Sequence, residues 1–316
     1  MDCSADRSVE LRRLIEEAVA CFISPDAVVL DLEEQPVHKG FSATDIYRHQ
    51  VQVEYRNERL VTSYITKNAS LKERRVLALL HRQGAAVPYS FSRDYEEDQS
   101  RYVCIQDVDY ATDYGAVDAE QVLGQEFELL AHLHASNLGR RHELLWLPEA
   151  DSGYISRMLR ERWEPSWNQA VQDKDFAALF QSYIPDIQAA AQSIADDLEP
   201  ILNDASSHTL IHTDLHPGNV LVQNNTRIRY IDWEEAGYGS FYLDIPLRFT
   251  SLEKAEKYRM ALEARGVSID QDEFRQRYIT ASRYIGLRYM GWTFGSWRTD
   301  RHTFESMIQY MNMVLS

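Results

Sequence analysis

Apolar residues recur at two different periods along this chain, and the change falls near residue 108. Over residues 8–22, Leu11, Ile15, Val19 and Phe22 stand at helical spacing, which predicts a surface helix with one buried stripe. Val, Ile, Thr and Tyr then dominate 27–32, 46–55 and 60–67, predicting three strands, the last two joined by a turn at Arg56-Asn57-Glu58-Arg59. A helix is expected over 71–83, opened by Ser70 and closed by Gly84, and a strand pair over 87–92 and 102–106. Beyond 108 the helical period takes over, at 118–137, 168–203, 252–265 and 271–297, with one β-rich interruption at 208–233. The pattern predicts an α+β chain in two lobes. Residues 1–108 form a leading helix and a small β-rich lobe, and residues 109–316 a larger, mainly helical one.

Composition narrows the classes of function. The 316 residues carry 33 Lys+Arg against 49 Asp+Glu, a net charge of −16. Such acidity argues against a nucleic-acid surface, because phosphate affinity comes mainly from Lys and Arg. Residues 1–108 hold 18 acids and 14 bases, and the remainder 31 and 19, so the excess sits on the helical part. No apolar run approaches the roughly 18 residues of a membrane span, and the polar start, Met1 to Arg7, does not resemble a signal peptide. Cys3, Cys21 and Cys104 are too scattered for a disulfide framework or a zinc site. A cytoplasmic protein without a membrane or nucleic-acid partner is expected.

The chemistry is concentrated in Leu210-Ile211-His212-Thr213-Asp214-Leu215-His216-Pro217-Gly218-Asn219, followed by Ile231-Asp232-Trp233-Glu234. Apolar strands at 220–223 and 227–231 flank Asn224-Asn225-Thr226, a turn composition. With the hairpin centre placed between Asn225 and Thr226, Asn219 and Asp232 face each other across the ladder. One carboxylate and one amide oxygen suit Mg²⁺, a hard cation that keeps water and phosphate in its shell. Asp214, on the loop entering the hairpin, is placed to accept a hydrogen bond from an incoming hydroxyl and orient it for attack. His212 is expected to bond loop backbone, and Pro217-Gly218 to supply the bend.

This is the H-x-D-L-x-x-x-N pattern of a kinase catalytic loop, with a metal-binding aspartate after it. The sequence here resembles the aminoglycoside phosphotransferase/choline kinase family, small-molecule kinases with a bilobal protein-kinase-like fold. The resemblance implies Asp214 as the catalytic residue and Asn219 and Asp232 as metal ligands. Ile231-Asp232-Trp233-Glu234 looks like the counterpart of D-F-G, and Gly237-Tyr238-Gly239 with Leu243-Asp244-Ile245 like the segment that follows. Upstream, Lys39-Gly40-Phe41-Ser42-Ala43-Thr44 resembles the nucleotide-covering loop, with Gly40 and Ser42 near phosphate. Lys67 looks like the lysine on the α/β-phosphates, with Glu73 as its partner, and Ile105-Gln106-Asp107-Val108 like the hinge whose backbone meets adenine. Leu130-Ala131-His132-Leu133-His134 resembles a recurrent helix of the larger lobe. The likeness covers roughly residues 35–250. Glu73 follows Lys67 by only six residues, and Ser240 stands where an acid is common.

Plainer roles exist for several of these residues. Ser70-Leu71-Lys72-Glu73 is a capping box, in which Glu73 reaches back to the Ser70 N–H. Lys67 also fits the end of an edge strand, and Gly40 a turn needing positive φ. Asp244 is expected to support the catalytic loop along with His212, or to cap the next helix. Tyr284, Tyr289, Trp292 and Trp297 fit either a cation–π pocket for an amine or the core face of a helix.

Together these features predict transfer of the γ-phosphate from MgATP, with GTP as a possible alternative donor, to a hydroxyl of a small molecule. The acidic helical lobe favours a cationic acceptor. His216 replaces the lysine usual in protein kinases, and no A-P-E follows Asp232, so a protein substrate is disfavoured. A non-catalytic scaffold of the same fold is the alternative, although Asp214, Asn219 and Asp232 are all retained.

Overall fold

The computed structural model describes residues 3–37, 45–93 and 101–316. In chain order the first elements are α1 (Cys3–Phe22), β1 (Val28–Pro36), β2 (Ile46–Tyr55), β3 (Glu58–Ala69), α2 (Leu71–Arg82), β4 (Ser90–Phe91) and β5 (Arg101–Gln106). There follow α3 (Ala119–Asn137), α4 (Ser152–Met158), α5 (Glu164–Gln172), α6 (Lys174–Leu179), α7 (Ile184–Leu202) and β6 (His208–Ile211). The remainder is β7 (Val220–Gln223), β8 (Arg227–Tyr230), β9 (Gly237–Ser240), α8 (Ile245–Arg248), α9 (Leu252–Glu263), α10 (Gln271–Met290) and α11 (Arg301–Leu315). Packing groups Met1–Leu129 with Pro217–Ala236 in one unit, and Leu130–His216 with Gly237–Ser316 in another. The division expected at residue 108 follows chain order, whereas packing carries the β7–β8 hairpin to the N-terminal unit.

The first unit is built on an antiparallel sheet of order β1-β2-β3-β5-β4. Tyr55 pairs with Glu58, so β2 and β3 are joined by Arg56 and Asn57 alone, at φ 53° and 63°. That two-residue turn is tighter than the four-residue one expected, and its left-handed residues match the twist of the flanking strands. Alternation along β2 buries His49, Val51 and Val53. Leu14, Ile15, Ala18 and Val19 of α1 pack with Val51, Val53, Tyr64 and Cys104, each full burial of a larger aliphatic side chain contributing about 1.5–3 kcal/mol. The hairpin joins this unit through polar contacts. Tyr230 N–H donates to Ala86 O at 2.7 Å, and Thr112 Oγ1 to Val222 O at 2.6 Å.

The second unit is mainly helical, with β6 and β9 paired antiparallel inside it. The single helix expected over 168–203 is three helices. Asp173 caps α6 by accepting from the N–H groups of Asp175 and Phe176, which ends α5, and Pro185 occupies the first turn of α7. A π-helical turn, Leu159–Trp163, joins α4 to α5. Helix α10 stops at Met290, short of the expected 297, and continues as a 3₁₀ turn, Gly291–Gly295, before α11, which the apolar pattern did not announce. No helix among the described residues is long and apolar enough to cross a membrane.

Candidate active site

Strand β3 ends where α2 begins, and this brings Lys67 and Glu73 together. Lys67 Nζ lies 2.7 Å from Glu73 Oε1 and 2.8 Å from Asp232 Oδ1. The short six-residue interval suffices because Ser70 caps the helix at once, its Oγ accepting from the Glu73 N–H at 3.2 Å. Cap and ion pair therefore coexist, with the Glu73 backbone on Ser70 and its carboxylate on Lys67. The Glu73 side chain is 1% exposed and that of Asp232 46%. Burial pushes the Glu73 carboxyl above its usual range against the pull of Lys67. Burial works against the charged Lys67 too, but the fields and bonds of Glu73 and Asp232 outweigh it and hold the ammonium protonated.

The hairpin register differs from expectation by one residue. Val220 pairs with Tyr230 and Gln223 with Arg227, leaving a three-residue loop centred on Asn225, with Asn224 and Asn225 at φ 50° and 63°. Asn219 is consequently opposite Ile231, whose N–H donates to Asn219 O at 3.0 Å, and not opposite Asp232. A one-residue slip would turn a strand side chain to the other face. Asp232 escapes that rule because it leaves the strand in the left-handed region, at φ 64° and ψ 64°. Asn219 is buried at the end of a 3₁₀ turn, Pro217–Asn219. One carboxylate and one amide fit a hard cation that draws its other ligands from water and phosphate. No group of three His, Cys, Asp or Glu among the described residues is arranged to hold a metal ion.

Backbone accounting separates the two residues expected at the hinge. Gln106 N–H donates to Tyr89 O at 2.8 Å, Asp107 N–H to Ser63 O at 3.1 Å, and Asp109 N–H to Asp107 Oδ1 at 3.3 Å. The Val108 N–H has no partner among the described residues, while its carbonyl accepts from Thr112 Oγ1 at 3.3 Å. Gln106 is thus a poor candidate for a nucleotide donor, and Val108 keeps one available. Asp107, which sequence reasoning gave no role of its own, is buried and bonded by Arg48 Nε at 2.6 Å and Ser63 Oγ at 2.7 Å. Gly40 and Ser42 lie outside the described residues.

Asp214 belongs to the second unit, where its loop is held from two sides. Asp244 accepts from the N–H of His212 at 2.7 Å and of Thr213 at 2.8 Å, and His134 Nε2 lies 3.3 Å from the same carboxylate. Burial alone would raise the Asp244 carboxyl, but the bond and field of His134 and the contribution of His212 hold it below its usual range. His212 Nδ1 accepts from the Asp214 N–H at 3.3 Å. Thr213 sits at φ 64°, costly for a β-branched residue, on the order of 1–3 kcal/mol, and the Asp244 bonds offset that strain. On the other side, Tyr289 donates its hydroxyl to Asp214 Oδ1 at 2.6 Å and lies 3.2 Å from Thr213 O. The Asp214 side chain is 32% exposed, so its carboxylate stays within reach of solvent.

The aromatic stretch divides by role. Tyr284 is fully buried, and Trp297 packs on Phe176 and Phe180. Trp292 is exposed, whereas Tyr289 meets Asp214. The sequence left Tyr289 between a pocket and a core role, and its bond to Asp214 was not foreseen, because it lies one turn beyond Ile285 and two beyond Ala281, both buried. His134 was visible only as part of a helix motif, and its bond to Asp244 spans 110 residues.

Residues 34–292 match the sequence profile of APH, the phosphotransferase enzyme family. This chain belongs to that family. The phosphotransferase is similar in fold to a spectinomycin phosphotransferase solved with ADP and spectinomycin, at TM-score 0.59 and 14% identity, over 96% of this chain and 97% of that one. A choline/ethanolamine kinase family protein from Mesorhizobium loti gives TM-score 0.54 at 11% identity, over 96% and 95% of the two chains. An aminoglycoside phosphotransferase from Alicyclobacillus acidocaldarius gives 0.52 at 16%, over 90% and 88%. No curated protein matches by sequence. The chain is a small-molecule phosphotransferase with the bilobal protein-kinase-like fold expected from its catalytic-loop pattern.

Proposed function

We propose that this enzyme moves the γ-phosphate of MgATP to a hydroxyl of a small, amine-bearing molecule in the cytoplasm, as an antibiotic-resistance or metabolite kinase. The observation that carries the reading is Asp214, solvent-accessible yet held by Tyr289 on its side chain and by His212 on its backbone. Residues 1–108 supply the nucleotide side, with Lys67 neutralising the α/β-phosphates and Glu73 holding Lys67. The Val108 N–H, without a partner among the described residues, donates to adenine N1. That polarity favours ATP over GTP, because guanine N1 carries a proton and offers no acceptor there.

Asn219 and Asp232 would hold Mg²⁺, which supplies charge neutralisation on the phosphates when bound. The acceptor oxygen bonds to the γ-phosphorus as the bond to the β,γ-bridging oxygen breaks, and ADP leaves with the electron pair. Asp214 orients the hydroxyl and takes its proton late in the transfer. Catalysis of this kind is mainly positioning and charge stabilisation, so few side chains suffice. Residues 109–316 hold 31 acids against 19 bases, which favours a cationic acceptor at long range.

The test is mass-spectrometric detection of a phosphate adduct on a panel of aminoglycosides, other amine-bearing antibiotics, amino alcohols and neutral sugars. An adduct that Asp214→Asn abolishes is the expected result. MgATP that neither binds nor transfers to any acceptor would overturn the reading, and binding without transfer would favour a non-catalytic scaffold.

A further inference from the structure

Next to Asp214 the local charge has the opposite sign to that of the chain as a whole. Several half-buried arginines elsewhere pair with carboxylates, as Arg259 does with Glu256, Arg277 with Asp204 and Arg283 with Asp197. Arg288 does not. Its guanidinium is partly buried, and no carboxylate among the described residues lies within ion-pairing distance. Its hydrogen bond runs from Nη1 to Tyr154 Oη at 3.0 Å, and its Cζ lies 5.3 Å from the Tyr289 ring centroid. Arg157 shares the neighbourhood, its Cζ 5.6 Å from the Tyr154 ring centroid against 5.9 Å for Arg288. Arg157 is exposed, and it too has no carboxylate partner among the described residues.

Two guanidinium groups therefore converge on one tyrosine in a chain of net charge −16, and neither makes an ion pair among the described residues, although the Asp214 carboxylate acts on Arg288 through its field. A guanidinium carries five N–H donors in a planar fork that matches carboxylate or phosphate oxygens two at a time. Among the described residues only the tyrosines Tyr154 and Tyr284 meet the Arg288 donors. Taking a partly buried cation from water without a partner is costly, and a ligand anion relieves that cost. The Tyr289 ring that Arg288 covers is the one whose hydroxyl holds Asp214, so a single side chain separates the cation from the base.

We propose that Arg288, assisted by Arg157, binds an oxyanion group of the acceptor, a carboxylate or a phosphate ester, while the acceptor's hydroxyl meets Asp214. The inference rests on the phosphotransferase reading and narrows its substrate class. The acid excess of residues 109–316 attracts an amine from a distance, and the arginine pair takes an anion at contact. A hydroxylated zwitterion satisfies both.

The test uses the full-length enzyme with MgATP and matched acceptor sets: hydroxy acids and amino hydroxy acids, their primary-amide analogues, and phosphate-bearing alcohols beside their unphosphorylated parents. Transfer is read by mass spectrometry and followed by steady-state kinetics. The expected result is transfer to a carboxylate- or phosphate-bearing member, with kcat/KM about 100-fold lower for its neutral analogue. Arg288→Gln should lower kcat/KM for the anionic acceptor by about 100-fold and leave the neutral analogue within about 3-fold. Arg288→Lys, which keeps the charge but not the fork, should fall between them. Fluorescent-nucleotide binding and Tm report whether each variant is folded, and the exposed Arg157→Gln gives the same direction of effect should Arg288→Gln fail to fold. Which anionic set is used separates carboxylate from phosphate. Absence of transfer to both anionic sets, or an Arg288→Gln loss equal for anionic and neutral acceptors, overturns the inference. The phosphotransferase reading itself falls only if the amine-bearing and neutral sets also fail and MgATP does not bind.

Discussion

Tyr289 donates its hydroxyl to Oδ1 of Asp214 at 2.6 Å, from a helix 75 residues further along the chain. One carboxylate oxygen is thereby committed to the tyrosine, and the other lies 4.0 Å from His216 Nε2. Tyr289→Phe deletes the donor and keeps the ring that Arg288 and Tyr310 pack against. A hydrogen bond to a charged group is worth about 1.5–3 kcal/mol, so kcat should fall roughly 10- to 100-fold. Nucleotide affinity should not move, because Lys67, Glu73 and Val108 belong to the other unit. Steady-state kinetics beside fluorescent-nucleotide titration will decide. An unchanged kcat would show the bond to be structural only.

Lys67 and Glu73 form a buried ion pair in the first unit, at 14% and 1% side-chain exposure. Lys67→Met strands the Glu73 carboxylate, a loss of about 3–5 kcal/mol for a buried pair broken on one side. The raised pKa of Glu73 lets it take up a proton and moderate that cost. Lys67→Met combined with Glu73→Gln should therefore be more stable than Lys67→Met alone, although equally unable to neutralise phosphate. Urea denaturation of the four members of the cycle measures the coupling. A double variant less stable than the single one would contradict the pairing.

Most of the fold was legible because its signals are local. The strand composition of β2 and β3, the Ser70 cap and the apolar stripe of α1 each depend on residues a few positions apart. The catalytic-loop pattern is likewise contiguous from His212 to Asp232. What escaped was set by distant partners or by turn geometry. The hairpin register hinged on whether the loop holds three residues or four, which Asn224-Asn225-Thr226 does not declare. Helices α5 to α7 read as one because Asp173 resembles any surface acid until its side chain is seen accepting from two backbone N–H groups. Tyr289, Arg48 and His134 act through partners at separations of 75, 59 and 110 residues, beyond any periodicity.

His49 makes the folded state sensitive to acid. It is fully buried, its Nε2 2.8 Å from Thr66 Oγ1, and burial together with the Arg7 charge lowers its pKa from 6.5 to about 4. A folded-state pKa below the unfolded one means that the unfolded chain takes the proton first. The contribution of His49 is therefore complete above pH 6.5 and is lost as pH falls towards about 4. The loss is on the order of 3 kcal/mol. Denaturant midpoints from pH 7.5 to 4.5 should show a slope that His49→Gln flattens. Equal slopes in the two proteins would assign the acid sensitivity to other groups.

Helix α11 lies beyond the family match, which ends at residue 292, yet it packs directly on the helix that carries Arg288 and Tyr289. The close approach is at Gly286, where a Cβ would lie 2.6 Å from Tyr310 O and 2.8 Å from Val314 Cγ2. Neither neighbour is the free end of a flexible chain: one is a backbone carbonyl and the other a methyl of a buried valine. Gly286→Ala gains up to about 1 kcal/mol of helix propensity but forces the two helices apart, an overpacking cost of about 1–3 kcal/mol. The net effect should be destabilising, with a lower Tm. Gly124→Ala in α3 is the control, since nothing stands within 4 Å of a Cβ there and only the propensity gain remains. A Tm that falls for Gly286→Ala and rises for Gly124→Ala would establish that α11 is seated by contact at a residue without a side chain. A rise in both would mean that α11 yields freely, and that the helix bearing Tyr289 does not depend on it for its position.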